Sequence, residues 1–213
     1  MQYAIIKAGE SPSFPDGDPF LAAGVAADHA EAVIYLAGAK LENNDVKTVV
    51  LVELGNESLG EHTGELLGEE GSNVVGFARY RNGSDAPSRL VELVVQSRTS
   101  QNAVAAARSI FESAGLVVAI CTDQAGRIVD RLVRPKYNAA LRLLDEGLAM
   151  QKDIDLTCRL GLGYPDGPIE RVVRGGLVYH HDITKALFET YGTPGYAPAR
   201  RAVVAARRRE FGQ

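Results

Sequence analysis

The stretch Asp153-Ile-Asp-Leu-Thr-Cys-Arg-Leu-Gly-Leu-Gly-Tyr-Pro-Asp-Gly-Pro-Ile-Glu170 is the most informative part of this chain of 213 residues. Its first half predicts a helix over Asp153–Leu160, because a glycine follows and glycine commonly ends helices. Proline and glycine then alternate with other residues, which predicts a turn that lets two helices pack closely. We interpret this turn as architectural, with Glu170 anchoring its far end. The turn residues are Gly161, Gly163, Pro165, Gly167 and Pro168.

Composition restricts the class of protein. The chain is 46% hydrophobic and 23% charged, which suits one or two compact domains with a core. A net charge of -4 gives no general attraction to nucleic acid or to an anionic membrane. Cys121 and Cys158 form no C-x-x-C motif, and we find neither a signal peptide nor an apolar run of about twenty residues. We therefore expect a cytoplasmic protein that contacts neither membrane nor nucleic acid.

The pattern of apolar residues changes along the chain. Six short apolar runs, with helices predicted at Ser58–Leu67 and Gln101–Ala114, indicate an α/β region with a covered sheet. After Arg127 the apolar residues repeat at three and four positions, so the remainder is predicted to be all-α. The expected domains are 1–125 and 126–213. The predicted strands are Tyr3–Lys7, Ala32–Leu36, Thr48–Glu53, Asn73–Phe77, Leu90–Val95 and Val117–Cys121.

The helical part resembles the C-terminal domain of the 3-hydroxyacyl-CoA dehydrogenase family. In that family a pattern E-G-x-A…D-I-D…G-x-P-x-G-P-x-E occurs, and this chain matches it without a gap. A match of such density over about thirty residues is more specific than a lone glycine motif. The matching residues are Glu146, Gly147, Ala149, Asp153, Ile154, Asp155, Gly163, Pro165, Gly167, Pro168 and Glu170.

The resemblance extends in front of the helical part. Asn73-Val-Val-Gly-Phe-Ala is similar to the family's V-V-G-x-H-F strand, and Leu90-Val-Glu-Leu-Val is similar to L-V-E-V-V. The resemblance thus implies a reduced Rossmann-like sheet domain followed by the helical 3-hydroxyacyl-CoA dehydrogenase C-terminal domain. This arrangement is similar to the C-terminal half of long 3-hydroxybutyryl-CoA or 3-hydroxyadipyl-CoA dehydrogenases, in which a complete catalytic half comes first.

The departures from the family concern its cofactor and its base. NAD is the cofactor that the resemblance implies, but no G-x-G-x-x-G turn follows the first predicted strand, so we expect no cofactor to bind. The family's catalytic histidine falls on Ala78, whereas Glu92 matches the glutamate that orients it. We interpret Glu92 either as a remnant of the catalytic site or as an edge or outward-facing residue of its strand.

Two further positions match substrate-binding segments of the family. Ser58 lies in Asn56-Glu57-Ser58-Leu59, which is similar to N-T-S-S-L, and Asp130 replaces a polar residue of the V-N-R segment. Asp130 is also explained as an acid favoured by the dipole at a helix N-terminus. His180 and His181 are adjacent, so they face different sides of a helix and do not predict a metal site.

These observations leave three functional hypotheses. The first is a related protein of acyl-CoA catabolism that lacks NAD turnover on its own. It would act as a homodimer, or as the dimerisation partner of a complete dehydrogenase half. The apolar residues Val173 and Val178, at positions where the family tends to be acidic, favour such a contact. The second is an active NAD-dependent enzyme with an atypical base, Glu92 or Asp130. The third is a module that binds acyl-CoA without chemistry.

Overall fold

The computed structural model describes residues 1–36 and 38–212, and these form two compact units. The first unit consists of Met1–Arg81 and Pro87–Arg127. The second consists of Asn82–Ala86 and the chain from Ile128 onward.

A six-stranded sheet forms the centre of the first unit. Its strand order is the order of the sequence, from β1 to β6. Neighbouring strands are parallel except β4 and β5, which are antiparallel. All six predicted strands are confirmed, with bounds that shift by no more than two residues. The strands are β1 Tyr3–Lys7, β2 Ala32–Leu36, β3 Val49–Glu53, β4 Val74–Arg79, β5 Leu90–Val95 and β6 Val117–Thr122.

Both faces of the sheet are apolar. Three helices occur between the strands, namely α1 Pro19–Ala22, α2 Gly60–Thr63 and α3 Gln101–Ser113. On one face, Phe14 and Phe20 pack with Phe77 of β4 and Phe111 of α3. The other face is covered by a smaller apolar cluster that includes Leu54 and Leu59. Cys121, which is partly buried, packs against this cluster. Burial on both faces explains why the central strands β2 to β5 read as continuous apolar runs.

The helix predicted at Ser58–Leu67 is wrong in its length, because only Gly60–Thr63 is helical. Gly64 adopts a φ of 72°, a left-handed conformation that ends a helix. The backbone N–H groups of Leu66 and Leu67 then both donate to Glu70 Oε1 at 2.8 Å, and these bonds lower the pKa of Glu70 to about 2. A local carboxylate therefore holds this segment as a turn, in place of further helical bonds.

The second unit is helical. Its core contains Tyr137, Leu141, Ile154, Ile169 and Val172, all buried. Among its described residues no helix has the length and apolarity that crossing a membrane requires. Its elements are α4 Arg127–Asp145, which begins at the boundary, α5 Gln151–Leu162, α6 Pro168–Arg174, α7 Leu177–Tyr191 and α8 Arg200–Glu210, with a short 3-10 turn at Pro194–Tyr196.

Asp155 explains the proline-glycine motif after α5. Its side chain lies inside the unit, 4% exposed, and its two oxygens accept the backbone N–H groups of Ile169 at 2.8 Å and Glu170 at 3.1 Å. These N–H groups open α6 and have no partner within the helix. A Cβ on Gly167 would lie 2.2 Å from the Asp155 carboxyl carbon, so only glycine fits there. Pro168 follows at the first helical position, where a missing N–H costs nothing.

The segment Asn82–Ala86 joins the second unit although it connects two strands of the sheet. The Asn82 side chain donates to the backbone oxygen of Arg171 at 3.1 Å. Asp85 pairs with Arg174 at 3.2 Å. A Cβ on Gly83 would approach the backbone oxygen of Arg174 to 2.9 Å, so this segment lies directly against the end of α6.

Candidate active site

Glu92 and Ala78 are directly opposite each other in the antiparallel pair β5 and β4. Cβ atoms at opposite positions are about 4.5–5.5 Å apart, close enough for side chains to interact. Both residues are buried, and Glu92 is only 4% exposed. β5 lies between β4 and β6, so the interpretation of Glu92 as an edge or outward-facing residue is wrong. The positions that the family resemblance assigns to a histidine and its glutamate are thus cross-strand neighbours, and alanine occupies the first.

Cys121 lies on the same face of the sheet as Glu92. Burial raises the pKa of its thiol to about 11, and the carboxylate of Glu92 adds to this effect. The Arg127 guanidinium opposes the shift but does not reverse it. The thiol is therefore protonated at neutral pH, and since the thiolate is the nucleophile, Cys121 is not a reactive cysteine.

The loop after β3 is fixed by residues that follow β6. The carboxylate of Asp123 accepts the backbone N–H groups of Leu59 and Gly60, both at 2.7 Å. The Arg127 guanidinium donates to the carbonyl oxygen of Glu57 at 3.2 Å and to that of Gly55. Arg127 is 4% exposed and adopts a φ of 46°, a conformation rare for residues other than glycine. Buried contacts compensate for that strain and hold the loop in one position.

Ser58 lies in this loop and binds within it. Its Oγ is 3.2 Å from Glu61 Oε1, and its backbone N–H donates to the same oxygen at 3.0 Å. The hydroxyl proton is therefore used locally, while the oxygen can still accept a hydrogen bond. A substrate-binding role for Ser58 stays a prediction.

His62 contacts Glu57 instead of facing solvent freely. Its Nε2 is 3.1 Å from Glu57 Oε1, and the side chain is 28% exposed. Burial would raise the pKa of Glu57, but the N–H of Gly55 and the contact with His62 more than offset burial and lower it. The pair borders a cavity of about 230 Å³ at the carboxyl ends of β2 and β3, which Tyr35 and Glu53 also line.

Glu53 is a buried acid that the sequence analysis missed. It is the last residue of β3, and its Oε1 accepts the Ser11 hydroxyl and the Ser13 backbone N–H, each at 2.8 Å. These bonds fix the loop after β1 to the end of β3. A charged residue at the end of the apolar run Val49-Val-Leu-Val-Glu53 was the available signal.

Asp130 belongs to the second unit. It lies in the first turn of α4, as the interpretation from the helix dipole expects. Its Oδ1 accepts a hydrogen bond from Arg134 Nε at 2.7 Å, and the Arg134 side chain is 3% exposed. The carboxylate neutralises a buried arginine, since an unpaired buried charge is costly. Asp130 as a substrate-binding residue also stays a prediction.

The two adjacent histidines of α7 point to different partners. His180 Nε2 is 2.9 Å from Asn138 Oδ1, while His181 Nδ1 is 3.0 Å from Asp182. Burial lowers the pKa of His180 to about 3, so its ring is neutral at physiological pH. Across residues 1–36 and 38–212 no group of three or more acids, histidines and cysteines is placed to hold a metal ion.

Comparison with known proteins gives a consistent picture. Residues 126–213 match the family described as 3-hydroxyacyl-CoA dehydrogenase, C-terminal domain. The mitochondrial hydroxyacyl-coenzyme A dehydrogenase of Sus scrofa is 37% identical over 101 residues, which is 47% of this chain and 31% of that protein. The chain therefore matches about a third of the length of its curated mammalian relatives.

Solved structures share the fold over more of the chain. FadB2 of Mycobacterium tuberculosis aligns with a TM-score of 0.70 at 22% identity, covering 86% of this chain and 67% of that one. A 3-hydroxybutyryl-CoA dehydrogenase from Escherichia coli aligns with a TM-score of 0.60 at 20% identity. That alignment covers 97% of this chain but 39% of the other, so the second protein is much longer.

Proposed function

We propose, from the match of residues 126–213 to the C-terminal domain of 3-hydroxyacyl-CoA dehydrogenases, a role in acyl-CoA catabolism without independent NAD turnover. The protein contributes structure: its helical unit completes an assembly with a full dehydrogenase half or with a second copy. The cytoplasm is the proposed location, in keeping with the two unpaired cysteines.

The cross-strand pair Ala78 and Glu92 carries this proposal. Oxidation of a secondary alcohol requires a base for the hydroxyl proton, and the family resemblance implies a histidine at position 78 for that role. Alanine has no titratable group, so the carboxylate of Glu92 has no imidazole opposite it to orient. The proton transfer that the family resemblance implies therefore lacks its base.

The carboxyl end of β1 and the loop after it also fit a dinucleotide poorly. A pyrophosphate needs a glycine turn directly followed by a helix, whose N-terminus provides N–H groups. Here β1 ends at Lys7, which pairs with Asp16, and the next helix starts only at Pro19 and has four residues. Dinucleotides bind where strand order reverses, and the order from β1 to β6 never does. These features support the proposal that the chain has no binding site for NAD.

A thermal-shift comparison tests the proposed function. NADH binding only the native state would raise the unfolding temperature, so we expect no shift for this chain and a clear one for a complete family dehydrogenase. A concentration-dependent shift with NADH would contradict the proposal. A shift with acetoacetyl-CoA alone would favour an acyl-CoA-binding module.

Ala78→His is expected to leave the protein inactive. The new imidazole would lie opposite Glu92, but the hydride donor would still lack a site. The measurement is NADH oxidation by acetoacetyl-CoA, with the unmodified chain as control. Turnover appearing in this single variant would reveal a nucleotide site and overturn the proposed lack of NAD binding.

Val173→Asp is expected to weaken assembly about tenfold or more, because a charge within an apolar interface lacks a partner. Val173 lies in α6 with 51% of its surface exposed, so the folded unit should tolerate the change. Val46→Asp is a matched control, since Val46 is 94% exposed and belongs to the first unit. Sedimentation velocity, alone and with a complete family dehydrogenase, measures the effect. A wild-type chain that stays monomeric in both experiments would remove the basis for the partner role.

A further inference from the structure

A second cavity lies on the opposite face of the sheet from Glu92. It has a volume of about 500 Å³ and is bordered by residues of the segment Asp18–Ala23, by the C-terminal end of α3 and by the turn that follows it up to Leu116. Ligand-binding cavities commonly span about 300–1,000 Å³, so the volume suits a small organic molecule. Every lining residue belongs to the first unit.

The wall of this cavity is apolar and rigid. Phe20 stacks on Tyr3 with ring centroids 4.8 Å apart and on Phe14 with centroids 4.1 Å apart. Ile110 and Leu116 complete the wall. Stacked, buried rings change conformation little, so an apolar ligand would meet a largely preformed surface.

Two arginines line the same cavity. Arg79 is 7% exposed in its side chain, with Nε donating to the Ser88 carbonyl oxygen at 2.9 Å and Nη1 to that of Ser13 at 2.7 Å. Its guanidinium lies 4.9 Å from the Phe14 ring centroid. Those bonds orient the group and leave Nη2 for another acceptor. Arg89 uses Nη2 on the Gly115 carbonyl oxygen at 3.0 Å, which leaves its other nitrogens for an acceptor as well.

One acid partly balances these cations. Asp18 Oδ1 accepts the Phe20 backbone N–H at 2.9 Å, and Oδ2 is 3.5 Å from Arg79 Nη1. Among the side chains of the lining, two guanidinium groups against one carboxylate leave an excess of one positive charge. An apolar wall beside one uncompensated cation is complementary to a monoanion with an apolar body, and not to the several charges of a CoA nucleotide.

We propose that this cavity binds a monocarboxylate with an unbranched apolar tail, its head between Arg79 and Arg89 and its tail along Phe20, Ile110 and Leu116. The site is independent of the partner role proposed above. It uses the face of the sheet that carries α3, whereas Glu92, Ala78 and Cys121 lie on the other face.

Calorimetric titration of the folded chain with octanoate and with octanol tests the site. We expect saturable octanoate binding and at least about tenfold weaker binding of octanol, because the alcohol cannot form charge-assisted bonds with the arginines. Arg89→Gln should weaken octanoate binding about twofold to fivefold, as suits an exposed cation. Arg79→Gln should weaken it about tenfold or more.

Arg98→Gln provides the matched control, since Arg98 is 70% exposed, pairs with Glu69 and does not line this cavity. Its octanoate affinity should equal that of the unmodified chain. Should Arg79→Gln fail to fold, Arg89→Gln and the comparison of octanoate with octanol decide the question. The proposal is overturned if octanoate does not bind, if octanol binds equally well, or if Arg98→Gln weakens binding as much as Arg89→Gln.

Discussion

Replacing Asp155 by alanine is expected to lower the free energy of unfolding by about 2–4 kcal/mol, because two backbone N–H groups of α6 lose their acceptor. The Ile169 N–H is buried, so water cannot replace the lost carboxylate fully. Urea denaturation followed by circular dichroism measures the change as a shift of the midpoint. The loss should not alter the fold of α5, whose own helical bonds remain.

Asp153→Ala is the control for this experiment. Asp153 lies two residues earlier in the first turn of α5 and is exposed, so its removal should cost less than about 1 kcal/mol. Equal effects of the two substitutions would contradict the capping role of Asp155.

Gly167 gives a second test of the same contact. Gly167→Ala places a Cβ about where the Asp155 carboxylate lies, so the single change should destabilise the chain. The Asp155→Ala background removes the carboxylate part of that clash and keeps only the contact with the Cβ of residue 155, so the two changes together should cost less than the sum of their separate costs. Additive costs would mean that the two residues act independently.

The strands were predictable because they are apolar, β-branched runs of five or six residues, and the central strands β2 to β5 are buried on both faces. The turn at Leu66 and Leu67 was not, since it depends on a side chain, Glu70, that competes with helical hydrogen bonds. That Asn82–Ala86 belongs to the second unit could not be predicted for a similar reason. Its partners, Arg171 and Arg174, are almost ninety residues away in sequence.

The candidate site was predictable only where a family motif covered it. Glu92 and the alanine at position 78 came from such motifs, and the sheet register makes them neighbours. Asp123 and Arg127 bind main-chain groups of the loop after β3, and main-chain partners leave no pattern in the side chains. Glu53 left one signal, a charge at the end of an apolar strand, but its partners Ser11 and Ser13 lie 42 and 40 residues away in sequence.

The isolated chain is expected to oxidise NADH with acetoacetyl-CoA at least about 10²–10⁴-fold more slowly than a complete family dehydrogenase, since the loss of a general base alone removes that much. The base is missing because Ala78 occupies the position that the family resemblance assigns to the catalytic histidine, opposite Glu92. The poor fit of a dinucleotide to the end of β1 would lower the rate further.

The initial rate of that reaction, measured with purified chain and with a complete dehydrogenase at equal concentration, decides whether the chain has a working active site of its own. We expect the chain alone to give a rate no higher than the background of the assay. A rate within about tenfold of the complete enzyme, abolished by a substitution in the chain such as Glu92→Gln, would show a working active site and contradict this expectation.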